Sequence, residues 1–381
     1  MNPEDLKVPA AGEPVPITGI RGAEVAFIPA PLPPRWDWPV EMWPLLMEAR
    51  VALASLSGIG KHLPDPALVL RPLQYREAVR SNSLEGTYTQ PVQQALFELV
   101  PDEFTNDATD AYREVSNYAR ALKLYLQENR ELPLSLRLIR DLHAVLMDGV
   151  RGADKEPGRF RRLQVHVGWP PRYVPPPPDR LEECLDAFEK YLHCERAAFD
   201  PLVDAFIVHY QFEAIHPFRD GNGRVGRLLL SAMIAERCHL SAAWLHMSAY
   251  FDRQKDDYLD ALLRVSTDGD WQAWVTFCLR GVVEQAQDTE RRCDRLLQLR
   301  HAYQERLAEQ GGSVRLTNLV DRLFETPVLQ IPPIAERYGI TYATARADVT
   351  RLERARIIEP VPSVRQKTYF CPQVLDIIFG D

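Results

Sequence analysis

Apolar residues recur at helical spacing over much of this chain. Trp43 to Leu56, Ala111 to Glu128, Leu136 to Met147, Leu181 to Leu192 and Pro201 to Ala214 each predict an amphipathic or buried helix. Leu228 to Ala235 is apolar throughout and predicts a buried one, and Tyr258 to Val265 and Trp271 to Arg300 complete a helical body. Trp271, Trp274 and Phe277 are expected in its core. Period-two alternation occurs at Gln164 to Trp169, stops at Pro170-Pro171 and resumes at Tyr173-Val174, predicting a short hairpin with a proline-broken edge. Residues 1–40 are proline-rich and read as an extended arm. From about residue 313 the pattern changes: Ile331 to Tyr338, a turn at Gly339-Ile340-Thr341, then Tyr342 to Ala355 predict helix–turn–helix, with Thr341 as N-cap. Ile357 to Glu359 and Lys367 to Phe370 would be strands around Pro360–Gln366. The expected fold is mainly α, divided into 1–110, 111–300 and 313–381.

Between two of the predicted helices lies a run of a different kind, His216-Pro217-Phe218-Arg219-Asp220-Gly221-Asn222-Gly223-Arg224-Val225-Gly226-Arg227. It places an imidazole, a carboxylate, a Gly-Asn-Gly turn and, among its arginines, Arg224 and Arg227 at a helix N-terminus, where free N–H groups and the macrodipole favour anions. Gly221 and Gly223 lack a Cβ and let the backbone approach a phosphate. Asp220 is a hard oxygen ligand suited to Mg²⁺ shared with phosphate oxygens. Arg224 and Arg227 share a helix face and can fork onto phosphate. His216 has the ordinary pKa, near ~6.5, of a general base. Any one of these features alone is an ordinary turn or a packed histidine. No G-x-x-x-x-G-K-[ST] occurs, so this is not a P-loop.

The run resembles the Fic-family motif H-x-F-x-[DE]-G-N-G-R-x-x-R at every position. Pro157 to Arg161, Gln164-Val165 and Tyr173 to Pro178 are similar to the segment that precedes the motif and contains the family's flap. Leu32-Pro33-Pro34 and Arg76-Glu77-Ala78 resemble its N-terminal extension. The resemblance implies a Fic-type helical bundle that transfers AMP from ATP to a Ser, Thr or Tyr hydroxyl of a protein, with self-modification included. By the same resemblance His216 is the general base, Phe218 anchors the loop and Asp220 binds Mg²⁺. Gly221, Asn222, Gly223, Val225 and Gly226 belong to the phosphate site, Arg224 supports it, and Arg227 reaches the γ-phosphate. Gly223 stands where a phosphotransferring branch carries Lys, which favours nucleotidyl transfer. Tyr258 is an expected adenine neighbour, and the flap pairs with target main chain.

Ser81-Asn82-Ser83-Leu84-Glu85-Gly86 fits the family's inhibitory pattern [ST]-x-x-x-E-[GN]. Ser81 and Glu85 share a helix face, and Gly86 can end that helix as a C-cap. The resemblance implies that Glu85 pairs with Arg227 and restrains the enzyme. An ordinary capped helix end with a solvated Glu is the alternative. The C-terminal segment looks like a winged helix, a DNA-binding or protein-binding module. Its Arg346, Arg351, Arg354, Arg356, Arg365 and Lys367 only modestly outnumber Asp348, Glu353 and Glu359.

Composition fits a globular chain, with 46% hydrophobic residues. A net charge of −8 argues against nonspecific nucleic-acid binding by the whole molecule. No membrane span or signal peptide is expected, and the scattered cysteines read as reduced thiols of a cytoplasmic protein without zinc. Expected partners are a protein target, a second copy of the chain, and DNA through the C-terminal unit. Two other functions remain open. One is removal of AMP, with Glu85 orienting a water. The other is an ATP-sensing DNA-binding transcriptional regulator.

Overall fold

The computed structural model describes residues 2–8, 11–62, 65–99, 101, 109–125, 134–150, 156–194, 198–309, 311, 313–362 and 367–380. Calls on Glu128, Pro360–Gln366 and Arg365 fall wholly or partly outside them.

The first residues are not an extended arm. Strands β1 (Gly12–Pro16) and β2 (Val25–Pro29) form an antiparallel hairpin with Gly12 opposite Pro29. Every residue of β2 is buried, and Phe27 N–H donates to Val174 O at 2.8 Å. The apolar run Val25 to Ile28 outweighs the flanking prolines, because an apolar face finds a partner wherever the chain brings one within reach.

Helices then follow in order: α1 (Trp43–His62), α2 (Ala67–Leu84), α3 (Pro91–Leu99), α4 (Thr109–Tyr125) and α5 (Leu136–Leu146). After the flap segment come α6 (Leu181–Leu192), α7 (Pro201–Ile215), α8 (Asn222–Arg237), α9 (Ser248–Arg253), α10 (Lys255–Asp268) and α11 (Trp271–Glu309). Caps mark the sequence-set starts. Ser135 Oγ accepts from Leu138 N at 3.4 Å, and Asp200 accepts from Leu202 N at 2.9 Å with Pro201 at the first helical position.

Helix α7 is apolar on all sides and nearly every residue is buried, as befits a central helix. It packs against α6, α8, α11 and β2. Trp274 donates its indole N–H to Phe206 O at 3.1 Å, so Trp271 and Trp274 are core residues as expected. The flap is a single bridge, Val167 to Tyr173, turning at Gly168 with φ +79°.

The C-terminal segment comprises α12 (Val314–Glu325), β3 (Val328–Gln330), α13 (Ile331–Tyr338), α14 (Tyr342–Arg354), β4 (Glu359–Pro360), β5 (Thr368–Phe370) and α15 (Pro372–Phe379). Its sheet has the order β3-β5-β4, all antiparallel. Thr341 caps α14 by accepting from Thr344 N at 3.2 Å, as read from sequence. This segment lies directly on α2 through α12 and α15. One cluster of buried apolar side chains runs from Ile28 to Ile378, so the helical body and this segment share a core. Among the described residues, no helix is long and apolar enough to cross a membrane.

Candidate active site

Helices α7 and α8 are joined by the His216–Gly221 loop, and both ends of that loop adopt left-handed backbone. His216 caps α7 at φ 50°, and Gly221 caps α8 at φ 76°. For Gly221 this conformation costs little, whereas at His216 it must be held by neighbours. Arg161 supplies that hold. Its buried guanidinium donates to His216 O at 2.8 Å, Ile215 O at 3.3 Å and Pro176 O at 2.6 Å, capping α7 and tying the flap's base to the loop. Burial pushes its pKa down to about 10, which leaves it cationic.

Phe218 is wholly buried and stacks on His143, centroids 3.7 Å apart and planes 3° apart. That agrees with its expected anchoring role. His143 itself was not apparent from the sequence. Its Nδ1 accepts from Gly158 N at 2.8 Å, so Nε2 carries the proton and donates to Asp220 O at 3.0 Å. Burial lowers its pKa to about 4, which keeps this tautomer neutral. The ring thereby fixes the carbonyl that opens the Gly-Asn-Gly turn.

His216 is half-buried, and its Nδ1 lies 3.3 Å from Glu213 O. A carbonyl accepts only, so Nδ1 bears the proton and Nε2 keeps its lone pair. Burial, then the charge of Arg161, lowers the pKa to about 4. The imidazole is therefore neutral and able to take a proton throughout the physiological range. Asp220 is half-buried at the loop's edge, and one of its oxygens accepts from Gly221 N at 2.7 Å.

Three expected phosphate contacts are corrected by the structure. The side chain of Asn222 is buried and closed on the loop itself, accepting from Phe218 N at 2.8 Å and donating to Phe218 O at 2.9 Å. It staples the turn, and only its backbone faces an anion site. Val225 is wholly buried, and its N–H is already bonded to Gly221 O at 3.0 Å. Gly226 packs against Glu213, leaving no room for a Cβ, and its carbonyl faces His209. Tyr258 is also displaced from its expected role. It is 3% exposed, its hydroxyl donates to His209 Nε2 at 2.9 Å, and its ring stacks on Phe251. The next residues of its helix, Leu259, Leu262 and Leu263, line a cavity of about 150 Å³ beside His216. Glu213, Tyr173 and Ser266 complete that wall. Glu213 Oε1 is buried there with no hydrogen-bond partner, and burial raises its pKa to about 7.

Arg224 and Arg227, the two arginines of the run that lie on α8, are buried and paired. Arg224 donates to Glu114 on α4 at 3.0 Å and lies 3.6 Å from Asp220. Arg227 donates Nε to Ser81 Oγ at 2.9 Å, and Nη2 to Ser81 O at 2.8 Å and Glu85 Oε1 at 2.7 Å. Burial raises the pKa of Glu85, but the charge of Arg227 more than offsets that and holds it below the usual carboxylate range. Glu85 caps α2 and Gly86 follows at φ +83°, the C-terminal arrangement read from sequence. Gly223 is the complement of this pair, since a Cβ there would run into Glu85 Oε1 and Arg227 Nη1.

A neutral imidazole, a loop leading into the N-terminus of α8 and an adjoining cavity thus meet at the end of α7. Residues 43–127 match the Fic/DOC family N-terminal model, and residues 133–234 match the Fic/DOC family model. Residues 133–234 are thus similar to the Fic/DOC domain, and residues 43–127 to that family's N-terminal region. The chain is 26% identical over 240 residues to the protein adenylyltransferase Fic of Aedes aegypti, covering 61% of this chain and 44% of the relative. With the protein of the same name from Drosophila grimshawi it shares 30% over 171 residues, 44% and 33% of the two chains. The chain thus spans less than half the length of these relatives. A crystal structure of a Fic family protein from Desulfovibrio desulfuricans superposes with a TM-score of 0.58 at 20% identity, over 89% of this chain and 98% of the other, which shows a shared fold.

Proposed function

We propose that this chain is a protein adenylyltransferase that moves AMP from ATP to a hydroxyl of a target protein and is restrained by Glu85. The observation that carries this reading is the neutral His216, its Nε2 lone pair uncommitted, beside the N-terminus of α8 and the cavity under the flap. The target oxygen attacks the α-phosphorus, the bond to the bridging oxygen of pyrophosphate breaks, and the hydroxyl proton passes to His216 Nε2. Backbone N–H groups at Asn222 and Gly223 bind phosphate oxygens, and the base of the nucleotide occupies the cavity walled by Leu259, Leu262 and Leu263.

A Mg²⁺ ion carried with ATP needs one protein carboxylate together with phosphate oxygens. Asp220 at the loop's edge would hold it, and the ion would neutralise charge on the departing pyrophosphate. Arg227, the residue suited to a γ-phosphate, is engaged by Ser81 and Glu85, so ATP must displace Glu85 to bind productively. Labelled ATP tests the whole reading. Glu85→Gly is expected to raise auto-modification about tenfold or more, equivalent to ~1.4 kcal/mol of restraint. Adding His216→Ala is expected to lower it by at least ~10²-fold. Full activity after the second change, or none gained after the first, counts against the corresponding role.

A second reading, contact of the C-terminal segment with duplex DNA, is supported by the outer face of α14. Arg346 and Arg354 are exposed there, while Asp348 is buried against Arg315 at 2.6 Å. A mobility shift abolished by Arg346→Glu would support it, and no shift at low salt would remove it.

A further inference from the structure

Beside the catalytic loop lies an open groove of about 800 Å³ between α5, the segment 159–162 and α6. Its floor is apolar, formed by Phe160, Pro178, Leu181 and Leu185. One wall carries the exposed guanidiniums of Arg137, Arg140, Arg159 and Arg162, none of which forms an ion pair among the described residues. Arg140 is drawn over the face of Phe160, its guanidinium carbon 5.9 Å from the ring centroid. Arg137 sits in the first turn of α5, where a cation opposes the helix dipole, and Arg140 lies one turn away on the same face. Such like-charge crowding is unfavourable unless an anion is meant to meet it.

The opposite wall is acidic, but part of its charge is paired. Asp186 pairs with Lys190 at 2.6 Å, whereas Glu189, accepting from Leu136 N at 2.8 Å, and Glu182 keep their charge. Four exposed arginines outnumber these two carboxylates, so the groove's net charge is positive. The groove is also joined to the chemistry. Phe160 packs on Phe218 at 5.3 Å, and Arg161, between two of the wall arginines, holds His216 O.

We propose that this groove receives an acidic, partly apolar segment of the protein being modified, an inference that rests on the transferase reading above. A polypeptide fits better than a nucleic-acid strand. A uniform phosphodiester backbone would meet the carboxylates of α6 as well as the arginines, whereas a peptide can turn acidic side chains to one wall and apolar ones to the floor.

The test uses the full chain and a fluorescein-labelled peptide of Glu-Glu-Leu repeats, with a Gly-Ser peptide and oligothymidylate as comparison probes. Fluorescence anisotropy should show salt-dependent binding of the acidic peptide, weakened roughly tenfold or more by R140E/R159E. Auto-modification by Glu85→Gly with and without the same charge reversals is followed in parallel. Both arginines are exposed and outside the nucleotide site, so labelling should persist and will show that the variant is folded. Peptide affinity unchanged by the reversals overturns the proposal, as does tighter, reversal-sensitive binding of oligothymidylate. Absent auto-modification alongside reversal-sensitive peptide binding would instead fault the transferase reading and leave the groove's preference standing.

Discussion

Helix α2 is clasped at two places by buried arginines, and the two clasps are built for different ends. Near its C-terminus Arg227 grips Glu85 at 2.7 Å, with side-chain exposures of 3% and 39%. Midway along, Arg76 meets Asp288 of α11 at 3.2 Å, and Arg292 joins the same carboxylate at 2.8 Å, with all three side chains at 16% exposure or less. Arg292 also donates to main-chain oxygens of Ile377, Ile378 and Gly380 at the end of α15. The second clasp therefore bolts α2 to the long helix and to the C-terminal segment. In the first, the cation is fixed while the anion stands at a helix end half in solvent, where another anion can replace it. Between them Glu77, buried and accepting from Tyr118 and Ser248, keeps the middle of α2 in place. Release of Glu85 thus needs movement of the last turn only, where helices fray most readily.

The largest expected effect tests whether the bolted clasp is structural. Arg292→Ala leaves Asp288 to Arg76 and Arg291 and removes the donor from three carbonyls, and loss of one member of a buried ionic cluster costs up to ~3–5 kcal/mol. Thermal unfolding should shift down by several degrees, while auto-modification by the otherwise natural chain stays low. A rise in labelling as large as that of Glu85→Gly would show the two clasps to be one device and break the distinction.

A smaller effect sharpens the first clasp. Ser81 supplies two of the three acceptors of Arg227, its hydroxyl and its carbonyl, and Ser81→Ala removes only the hydroxyl. A buried N–H left without its acceptor costs ~1–3 kcal/mol, part of which Glu85 can recover by shifting toward the guanidinium. Auto-modification is expected to change by less than about fivefold, well short of Glu85→Gly. Equal activation by both changes would make Ser81 as important to the restraint as the carboxylate.

The difference between the clasps also explains what could be read in advance. His216, Asp220, Gly223 and Arg227 stood out because their chemistry is contiguous and its spacing is meaningful on one turn and one helix. Ser81 and Glu85 were legible as a short pattern because a helix puts them on one face. The C-cap at Gly86 and the N-cap at Thr341 are local, and the structure has both. What was not legible is long-range. Nothing near His143 says that its ring will stack on Phe218 and orient Asp220, and nothing near Glu114 says that it will neutralise Arg224. The bolt joins Arg76 to Asp288 and Arg292, one turn apart on α11, and through Arg292 reaches a third stretch at Ile377 to Gly380. Tyr258 shows the converse error, since a plausible ligand-facing aromatic turned inward to satisfy the buried His209. The hairpin of β1 and β2 is hidden in the sequence because prolines stand in the middle and at the end of β1 and at the end of β2, where composition alone reads as an extended arm.

The smallest expected effect is a null one, and it follows from the sign of two pKa shifts. Glu85 is held below its usual range by Arg227, so the stabilisation of the clasp is complete above the unfolded value near ~4.3 and is lost only as pH falls through the lower folded value. His216 is lowered to about 4, so the base too is neutral above that pH. Between pH 5.5 and 8.5 neither group changes charge, and the ionisation of ATP affects wild type and variant alike. The ratio of Glu85→Gly to wild-type auto-modification rates should therefore be flat across this range. Only as pH falls through the lowered folded value of Glu85 should it fall toward unity, as the wild-type clasp is protonated, provided the protein remains folded. A ratio that bends near pH 7 would mean that Glu213, raised to about 7 by burial beside Arg227 and Glu85, and not the Glu85 carboxylate, governs the restraint, and the contrast between a replaceable clasp and a bolted one would have to be redrawn around that group.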